Sequence, residues 1–287
     1  MPELPEVETI KRGLQKSVVG RTIAAFDCDT KKMLNRPLAF YRKTLRGKKI
    51  EAVDRRAKML IVKLTGGWNI LAHLKMTGQM VFRGDQQSVV GGHPIKEGYE
   101  KDPNRFTHAT FTFRDKSHLY FNDVRKFGWL RLWTDKELAG QLEHGLGPEP
   151  LDHHFTIVTF REALEKRPNE RIKQFLLDNK NIVGIGNIYS DEICYFARVR
   201  PDRRVKSLKE SEIILLFRGI KNILTEAIQY EGTSISDYVN ALGEAGAYTA
   251  RLRVYGRYGQ KCYKCKGTVK RLKIGGRTSS FCPQCQR

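Results

Sequence analysis

The residues best suited to chemistry lie at the two ends of the 287-residue chain. Near the C-terminal end, Cys262-Tyr-Lys-Cys265 and Cys282-Pro-Gln-Cys285 make a C-x2-C-x16-C-x2-C pattern. Two such knuckles set four thiolates tetrahedrally around one Zn2+ and leave no open position, so the metal they imply is structural. At the other end, MPELPEVETI places Pro2 directly behind methionine, with Glu3, Glu6 and Glu8 following. Removal of Met1, which the small Pro2 permits, leaves a secondary amine. An α-amino group has a reference pKa near 8, against about 10.4 for lysine, so far more of it is neutral at working pH. A neutral amine attacks a sugar C1′ or an aldehyde to form a Schiff base, and a secondary amine gives an iminium that is already cationic. Glu3 is placed to act as a general acid or base. A helix N-terminus lowers the pKa of such an amine, whereas Glu3 and Glu6 raise it. The competing reading is an ordinary acidic first turn of a helix.

Three internal stretches carry further candidates. HLKMTG puts Met76 just past a strand end, where methionine most often fills a core. FNDVRKFG sets Arg125 and Phe127 two apart, on one side of an extended chain. An exposed Phe beside an Arg can wedge a base step open while the cation tracks a phosphate, but spacing alone also fits a core Phe127. VGIGNIYSDE carries Gly184 and Gly186 between helical stretches, with Asn187 at a cap position. It reads either as a plain helical corner or as a tight turn whose N–H groups bind phosphate at a helix N-terminus. Between the cysteine knuckles, TVKRLKIGGRTSSF predicts a β-hairpin whose Lys270, Arg271, Lys273 and Arg277 either meet phosphates or form a solvated basic face.

The elements that must position these residues follow from periodicity. Leu4, Val7, Ile10 and Leu14 recur at helical spacing behind an acidic start, predicting an N-terminal helix. KMLIVKL (58–64) and WNILAHL (68–74) flank Gly66-Gly67 as a hairpin; ATFTF (109–113) and HLYFND (118–123) make another pair, and GWLRLW (128–133) follows. After LGPEPL (146–151) the period becomes helical. The longest helix opens with Ser207 and Glu210 in capping-box spacing and carries an apolar stripe from Ile213 through Leu216, Phe217, Ile220, Ile223 and Leu224 to Ala227. A Gly-rich stretch, 231–248, reads as a loop.

Composition bounds the partners. Lys+Arg of 52 against Asp+Glu of 31 gives a formal charge of +21, a field that attracts polyanions, nucleic acid first. There is no long apolar run, lipidation signal or secretory h-region, so a soluble intracellular protein is expected. Cys28 and Cys194 stand apart from the four clustered cysteines, which speaks for metal in a reducing compartment rather than disulfides.

Together these stretches resemble the formamidopyrimidine-DNA glycosylases, bacterial-type repair enzymes for oxidised purines. The resemblance runs in order over essentially the whole chain, through PELPEVE, HLKMTG, NDVRKFG, DNKNIVGIGNIYSDE, VYGRYGQKC and FCPQCQ. PELPEVE at one end with a four-cysteine finger at the other is a specific combination. The sister branch, endonuclease VIII, acts mainly on oxidised pyrimidines and opens with PEGPE; Leu4-Pro5 favours the purine branch.

The resemblance implies an α+β multidomain fold. Its parts are an N-terminal β-sandwich led by a helix (1–135), a linker (136–150), a helical helix-two-turn-helix domain with a lesion-capping loop (151–248), and a C-terminal four-cysteine zinc finger (249–287). It implies excision of 8-oxoguanine and formamidopyrimidines from duplex DNA, followed by β- and δ-elimination. Pro2 is then the nucleophile, Glu3 the proton donor, Lys58 the lysine of β-elimination, and Arg277 the phosphate-gripping arginine linked to δ-elimination. Met76, Arg125 and Phe127 fill the gap left by the extruded base, and Asn187 binds phosphate. Cys262, Cys265, Cys282 and Cys285 hold one structural Zn2+. The implied partner is damaged double-stranded DNA, bound by a cytoplasmic monomer, nucleoid-associated if bacterial, with no membrane contact. Val124 and Lys126 depart from the proline and arginine common in the family, and Phe106 stands where members often carry a DNA-contacting histidine, with His108 two residues on. The rivals are an oxidised-pyrimidine glycosylase on the same scaffold and a non-catalytic DNA-binding zinc protein.

Overall fold

The computed structural model describes residues 1–84, 88–92, 101–143, 145–233 and 246–287. They form two compact units, Met1–His144 with Glu231–Ala247, and Gly145–Tyr230 with Tyr248–Arg287.

The first unit runs α1 (Leu4–Val18), β1 (Ile23–Cys28), α2 (Leu38–Leu45), β2 (Ile50–Arg56), β3 (Met59–Leu64), β4 (Trp68–His73), β5 (Gly78–Arg83), β6 (Ser88–Gly92), β7 (Thr107–Phe113), β8 (His118–Asp123), β9 (Trp129–Thr134) and α3 (Asp135–Glu143). The strands make two antiparallel sheets, β1-β7-β8-β5-β6 and β2-β3-β4-β9. Alternate residues of both point into one shared core, among them Phe26, Phe111, Phe121 and Phe82 from the first sheet and Val53, Val62, Ile70 and Leu132 from the second. Helix α1 adds Val7, Ile10 and Leu14 of its predicted stripe to the same core, and Val18 one turn further on. On the outer face of the second sheet, Ile61 and Leu71 are covered by Leu138 of α3.

Both predicted hairpins are present, β3–β4 and β7–β8. The last strand differs from simple sequence adjacency: β9 pairs with β4 rather than β8, so the chain changes sheet between Asp123 and Trp129. It changes sheet in the opposite sense between β4 and β5. The register places these two crossovers side by side, with His73 opposite Trp129 and Gly78 opposite Asp123. Met76 lies on one crossover and Arg125 and Phe127 on the other, so the topology itself brings the three together.

The second unit contains α4 (Ile157–Glu165), α5 (Ile172–Leu177), α6 (Asn187–Phe196), α7 (Glu210–Gln229) and the hairpin β10 (Lys270–Ile274)–β11 (Arg277–Phe281). Helix α7 buries Leu216, Ile220, Ile223, Leu224 and Ala227 of the predicted stripe, while Ile213 and Phe217 are half-buried. Its start differs from the predicted Ser207–Glu210 box. Lys209 is the cap, and its N–H donates to Glu212 Oε2 at 2.7 Å, because Arg203 holds the Glu212 carboxylate in place at 2.5 and 3.0 Å. Ser207 instead donates back to Arg204 O in the preceding turn.

Two neighbouring carboxylates on α6 bind the finger to the helices. Glu192 accepts the backbone N–H groups of Arg253, Val254 and Tyr255, each at 2.9 Å. Asp191 accepts from Lys173 Nζ at 2.6 Å, Ser279 Oγ at 2.5 Å and Ser280 N at 2.8 Å, and Lys173 also reaches Thr278 O at 3.2 Å. Both members of the Lys173–Asp191 pair are completely buried. Removing one partner strands the other charge in the interior. Lys173→Ala is therefore expected to cost about 3–5 kcal/mol of unfolding free energy in urea denaturation. A loss under about 1 kcal/mol would contradict this account of the pair.

Candidate active site and nucleic-acid interface

The first residues are held from several directions. Pro2 and Glu3 are buried, and Glu3 caps α1 in extended geometry (φ −97, ψ −171). The Glu3 N–H donates to Glu6 Oε2 at 2.8 Å, while Glu6 Oε1 accepts from Thr233 N at 2.9 Å and Thr233 Oγ1 at 3.1 Å. A Cβ on Gly232 would come within 2.9 Å of Glu6 Oε1, so only glycine admits this approach. Thr233 in turn bridges Ala247, which joins the two ends of the Gly-rich stretch; residues 234–245 of the expected lesion-capping loop lie outside the described residues. Glu6 thus has a structural task, which the acidic spacing of the N-terminus did not reveal.

Lys58 sits in the two-residue turn between β2 and β3, one residue ahead of the strand on which the sequence pattern places it. It is only 6% exposed. The residue before it, Ala57, has the left-handed φ of 56, a strained conformation for a residue with a side chain. Arg55 stabilises that turn by donating Nη1 to Ala57 O at 2.8 Å, and it pairs with Glu8 of α1 at 3.2 Å. Glu8 also meets Lys11 and Arg12, and although burial opposes ionisation, these three cations hold its carboxyl below the usual range. The helix carrying Pro2 and the turn carrying Lys58 are therefore tied through Glu8 and Arg55, neither of which spacing singled out.

His73 is a further residue that the sequence pattern does not distinguish. Its Nδ1 accepts from Lys75 N at 3.0 Å, which leaves the ring hydrogen on Nε2. Burial first, then the charges of Lys75 and Lys58, depress its pKa from 6.5 to about 3. The site thus contains a neutral imidazole donor within the field of Lys58.

Met76 and Phe127 are not core residues, contrary to what spacing favours. They are 43% and 50% exposed, among the most exposed large apolar side chains described. Both border a groove of about 470 Å3 with Lys32, Lys75, Lys126 and Trp129. The Arg125 guanidinium carbon lies 4.5 Å from the Phe127 ring centroid, a cation–π contact that holds the pair together. Lys75 and Lys126, immediately before Met76 and Phe127, have left-handed φ of 54 and 56. Of the positions that depart from the family pattern, Val124 and Lys126 are exposed and Phe106 is half-buried, while His108, two residues on, is buried against Asp29.

In the second unit Asn187 is the first residue of α6, and Gly186 rather than Asn187 is the cap. Asn187 Oδ1 is buried with no hydrogen-bond partner among the described residues. Gly184 N donates to Asn179 Oδ1 at 3.2 Å, so the turn does not offer that N–H to a ligand. Arg277 opens β11 and is exposed, as are Lys270, Arg271 and Lys273. The Gly275-Gly276 turn before it has φ of 54 and 76, the pairing that a two-residue hairpin requires. The Cys262, Cys265, Cys282 and Cys285 sulfurs lie within 4.8 Å of one another, with Cys262–Cys285 at 3.9 Å and Cys265–Cys282 at 3.4 Å. Tetrahedral Zn–S bonds of about 2.3 Å place sulfurs about 3.8 Å apart, so the four thiols fit one zinc ion.

Residues 1–130 match the formamidopyrimidine-DNA glycosylase N-terminal domain, residues 146–239 the H2TH domain of the same enzymes, and residues 259–287 a zinc finger found in FPG and IleRS. The chain belongs to the formamidopyrimidine-DNA glycosylase family. A formamidopyrimidine-DNA glycosylase of Heliobacterium modesticaldum is 40% identical over 289 residues, covering 100% of both chains. A variant of the Lactococcus lactis FPG, solved with Fapy-dG containing DNA, superposes with a TM-score of 0.87 at 35% identity over 100% of each chain. The wild-type Lactococcus lactis Fpg with oxidized pyrimidine containing DNA gives 0.85 at 34%, again over 100% of each chain. The four-cysteine finger accordingly carries one structural zinc, as the cysteine spacing predicts. No helix among the described residues is long and apolar enough to cross a membrane.

For this family member His73 yields a pH prediction. Its folded pKa of about 3 lies below the ordinary 6.5, so the unfolded chain takes up the proton first. The group leaves stability unchanged above about pH 6.5 and subtracts from it as the pH falls toward 3. Imidazole 15N resonances of His73 should keep their neutral-form shifts from about pH 8 to 5. A midpoint near 6.5 would contradict the burial assigned here.

Proposed function

We propose that this chain excises oxidised purines, 8-oxoguanine and formamidopyrimidines, from duplex DNA and then cuts the strand through a Schiff base on Pro2. One observation carries the reading above the others: Pro2 and Glu3 are buried at the head of α1, and the turn presenting buried Lys58 is tied to that helix through Arg55 and Glu8. After loss of Met1, the Pro2 nitrogen bonds to C1′ and the glycosidic bond breaks, the departing base taking a proton with help from Glu3. Opening of the sugar leaves a cationic iminium between Pro2 and C1′. This electron sink acidifies C2′, so loss of that proton expels the 3′ phosphate in β-elimination, the step assigned to Lys58. Loss of the 5′ phosphate follows in δ-elimination, assigned to Arg277. Zinc takes no part in these steps.

The lesion must leave the stack first, at a cost of a few kcal/mol. Met76, Arg125 and Phe127 offset part of it by occupying the gap, a role that their exposure supports. Asn187 and Arg277 bind phosphate, Asn187 through its amide N–H2, the donor group of its side chain. The partner is damaged double-stranded DNA, and the enzyme works as a cytoplasmic monomer.

Borohydride trapping on duplexes carrying 8-oxoguanine, a formamidopyrimidine or an oxidised pyrimidine tests the assignment. A covalent adduct chiefly with the purine lesions is expected. Adducts chiefly with the pyrimidine would overturn the purine reading, and none with any lesion would overturn the enzyme reading. Glu3→Gln should slow base release by about 10²–10⁴-fold, while an abasic site, which has no base to lose, still gives the adduct.

A further inference from the structure

Both crossovers that carry the exposed triad converge on one buried carboxylate. Asp123, the last residue of β8, is 0% exposed. Its Oδ1 accepts from Thr77 Oγ1 and from Arg125 N, the latter at 3.1 Å, and Thr77 Oγ1 also accepts from Arg125 N at 3.1 Å. Its Oδ2 accepts from Gly128 N at 2.6 Å. The Asp123 backbone is occupied as well: its N–H donates to Phe106 O at 2.9 Å, and its carbonyl accepts from Lys126 N at 3.3 Å and lies 3.1 Å from His108 Nε2. His108 is buried, and its other nitrogen faces Asp29 at 3.0 and 3.1 Å.

These contacts have a simple geometric consequence. Thr77 follows Met76; Arg125 is itself a member of the triad; Lys126 and Gly128 flank Phe127 on either side. The Asp123 carboxylate therefore holds Thr77, Arg125 N and Gly128 N, and its carbonyl holds Lys126 N, across two segments nearly fifty positions apart in sequence. The site tolerates no larger residue at 128, because a Cβ there would lie 2.6 Å from Phe121 Cζ and 3.1 Å from Asp123 Oδ2. Every group that meets the Asp123 carboxylate is a donor, and only a side chain with two acceptor oxygens satisfies them together. An amide would set its own N–H2 against either Gly128 N–H or the Thr77 and Arg125 donors.

We propose that Asp123 is the positioning residue of the inserting triad, fixing Met76, Arg125 and Phe127 in a single arrangement before DNA arrives. His108 is the outer support of the same loop through the Asp123 carbonyl. The inference rests on the proposed insertion role of the triad. Its energetic logic is that loops ordered in advance do not have to be ordered while the base is being extruded.

The test separates extrusion from chemistry. Single-turnover base release from a duplex lesion requires insertion; borohydride trapping on a single-stranded abasic site does not, because no partner strand has to be parted. Asp123→Asn is expected to slow the first by about tenfold or more and to leave the second within about twofold. A 2-aminopurine placed opposite a tetrahydrofuran site, whose fluorescence reports entry of side chains into the gap, should lose its response in the same variant. Thr77→Val, which keeps the shape and removes one donor, should show the same selective loss to a smaller degree and serves if Asp123→Asn does not fold, as judged by zinc content and melting temperature. The double variant Met76→Ala/Phe127→Ala is the control. If it leaves duplex release unchanged, the insertion reading itself fails. If it slows release while Asp123→Asn and Thr77→Val do not, the assignment of Asp123 is overturned. Equal loss in both assays would also overturn it, since that is the signature of general destabilisation.

Discussion

Immobilising the first three residues is the constraint on which the rest of the candidate site depends. Chain ends are usually the loosest part of a fold, yet the proposed chemistry asks Pro2 to hold its nitrogen still against a sugar carbon. Helix α1 answers that demand by burying Leu4, Val7, Ile10, Leu14 and Val18 almost completely in the sandwich core. The apolar stripe acts as a mount, and Glu6 and Glu8 act as guys: Glu6 to Glu3 N and Thr233, Glu8 to Arg55. A shift in α1 would move both Pro2 and, through Arg55, the turn that presents Lys58. The acidic N-terminus is thus divided by function, with Glu6 and Glu8 holding structure while Glu3 is assigned to the reaction.

A second regularity follows from how the side chains are presented. Lys58, Met76 and Phe127 are each preceded by a non-glycine residue in the left-handed region: Ala57, Lys75 and Lys126. Each such residue costs about 1–2 kcal/mol and persists only where the surroundings over-determine it. Here each has its own hydrogen bond: Arg55 to Ala57 O, Lys75 N to His73 Nδ1, and Lys126 N to Asp123 O. The sharp reversal falls just before the side chain in each case; Met76 and Phe127 emerge from it exposed, whereas Lys58 stays buried. In the second unit the same task is done without strain at Arg277, where glycines supply the turn and the buried Lys173–Asp191 pair anchors the strand.

The sequence was most legible where pattern and chemistry coincide. The cysteine spacing predicts the zinc finger, and alternation predicts both hairpins, because each is a local rule. Non-local features were hidden. That β9 joins the edge of β4 is a long-range pairing that the alternation in GWLRLW does not specify, and Phe127 lies on the crossover it creates. Met76 and Phe127 look like core by type; only the topology, or the family resemblance, separates them from core. Glu6 and Asp123 carry no signal of their own, since a buried carboxylate that accepts backbone N–H groups looks in sequence like any surface acid, and the Glu8–Arg55 pair joins residues 47 positions apart. His73 is likewise an ordinary strand residue until its burial and its lysine neighbours are known.

In the proposed mechanism residue two forms the covalent bond. Reduction of the DNA adduct with borohydride, followed by proteolysis and residue-level mass mapping, addresses it directly. A deoxyribose-derived mass is expected on a peptide that begins with Pro2 and lacks Met1. The same mass on Lys58, or on any peptide that retains Met1, would contradict it.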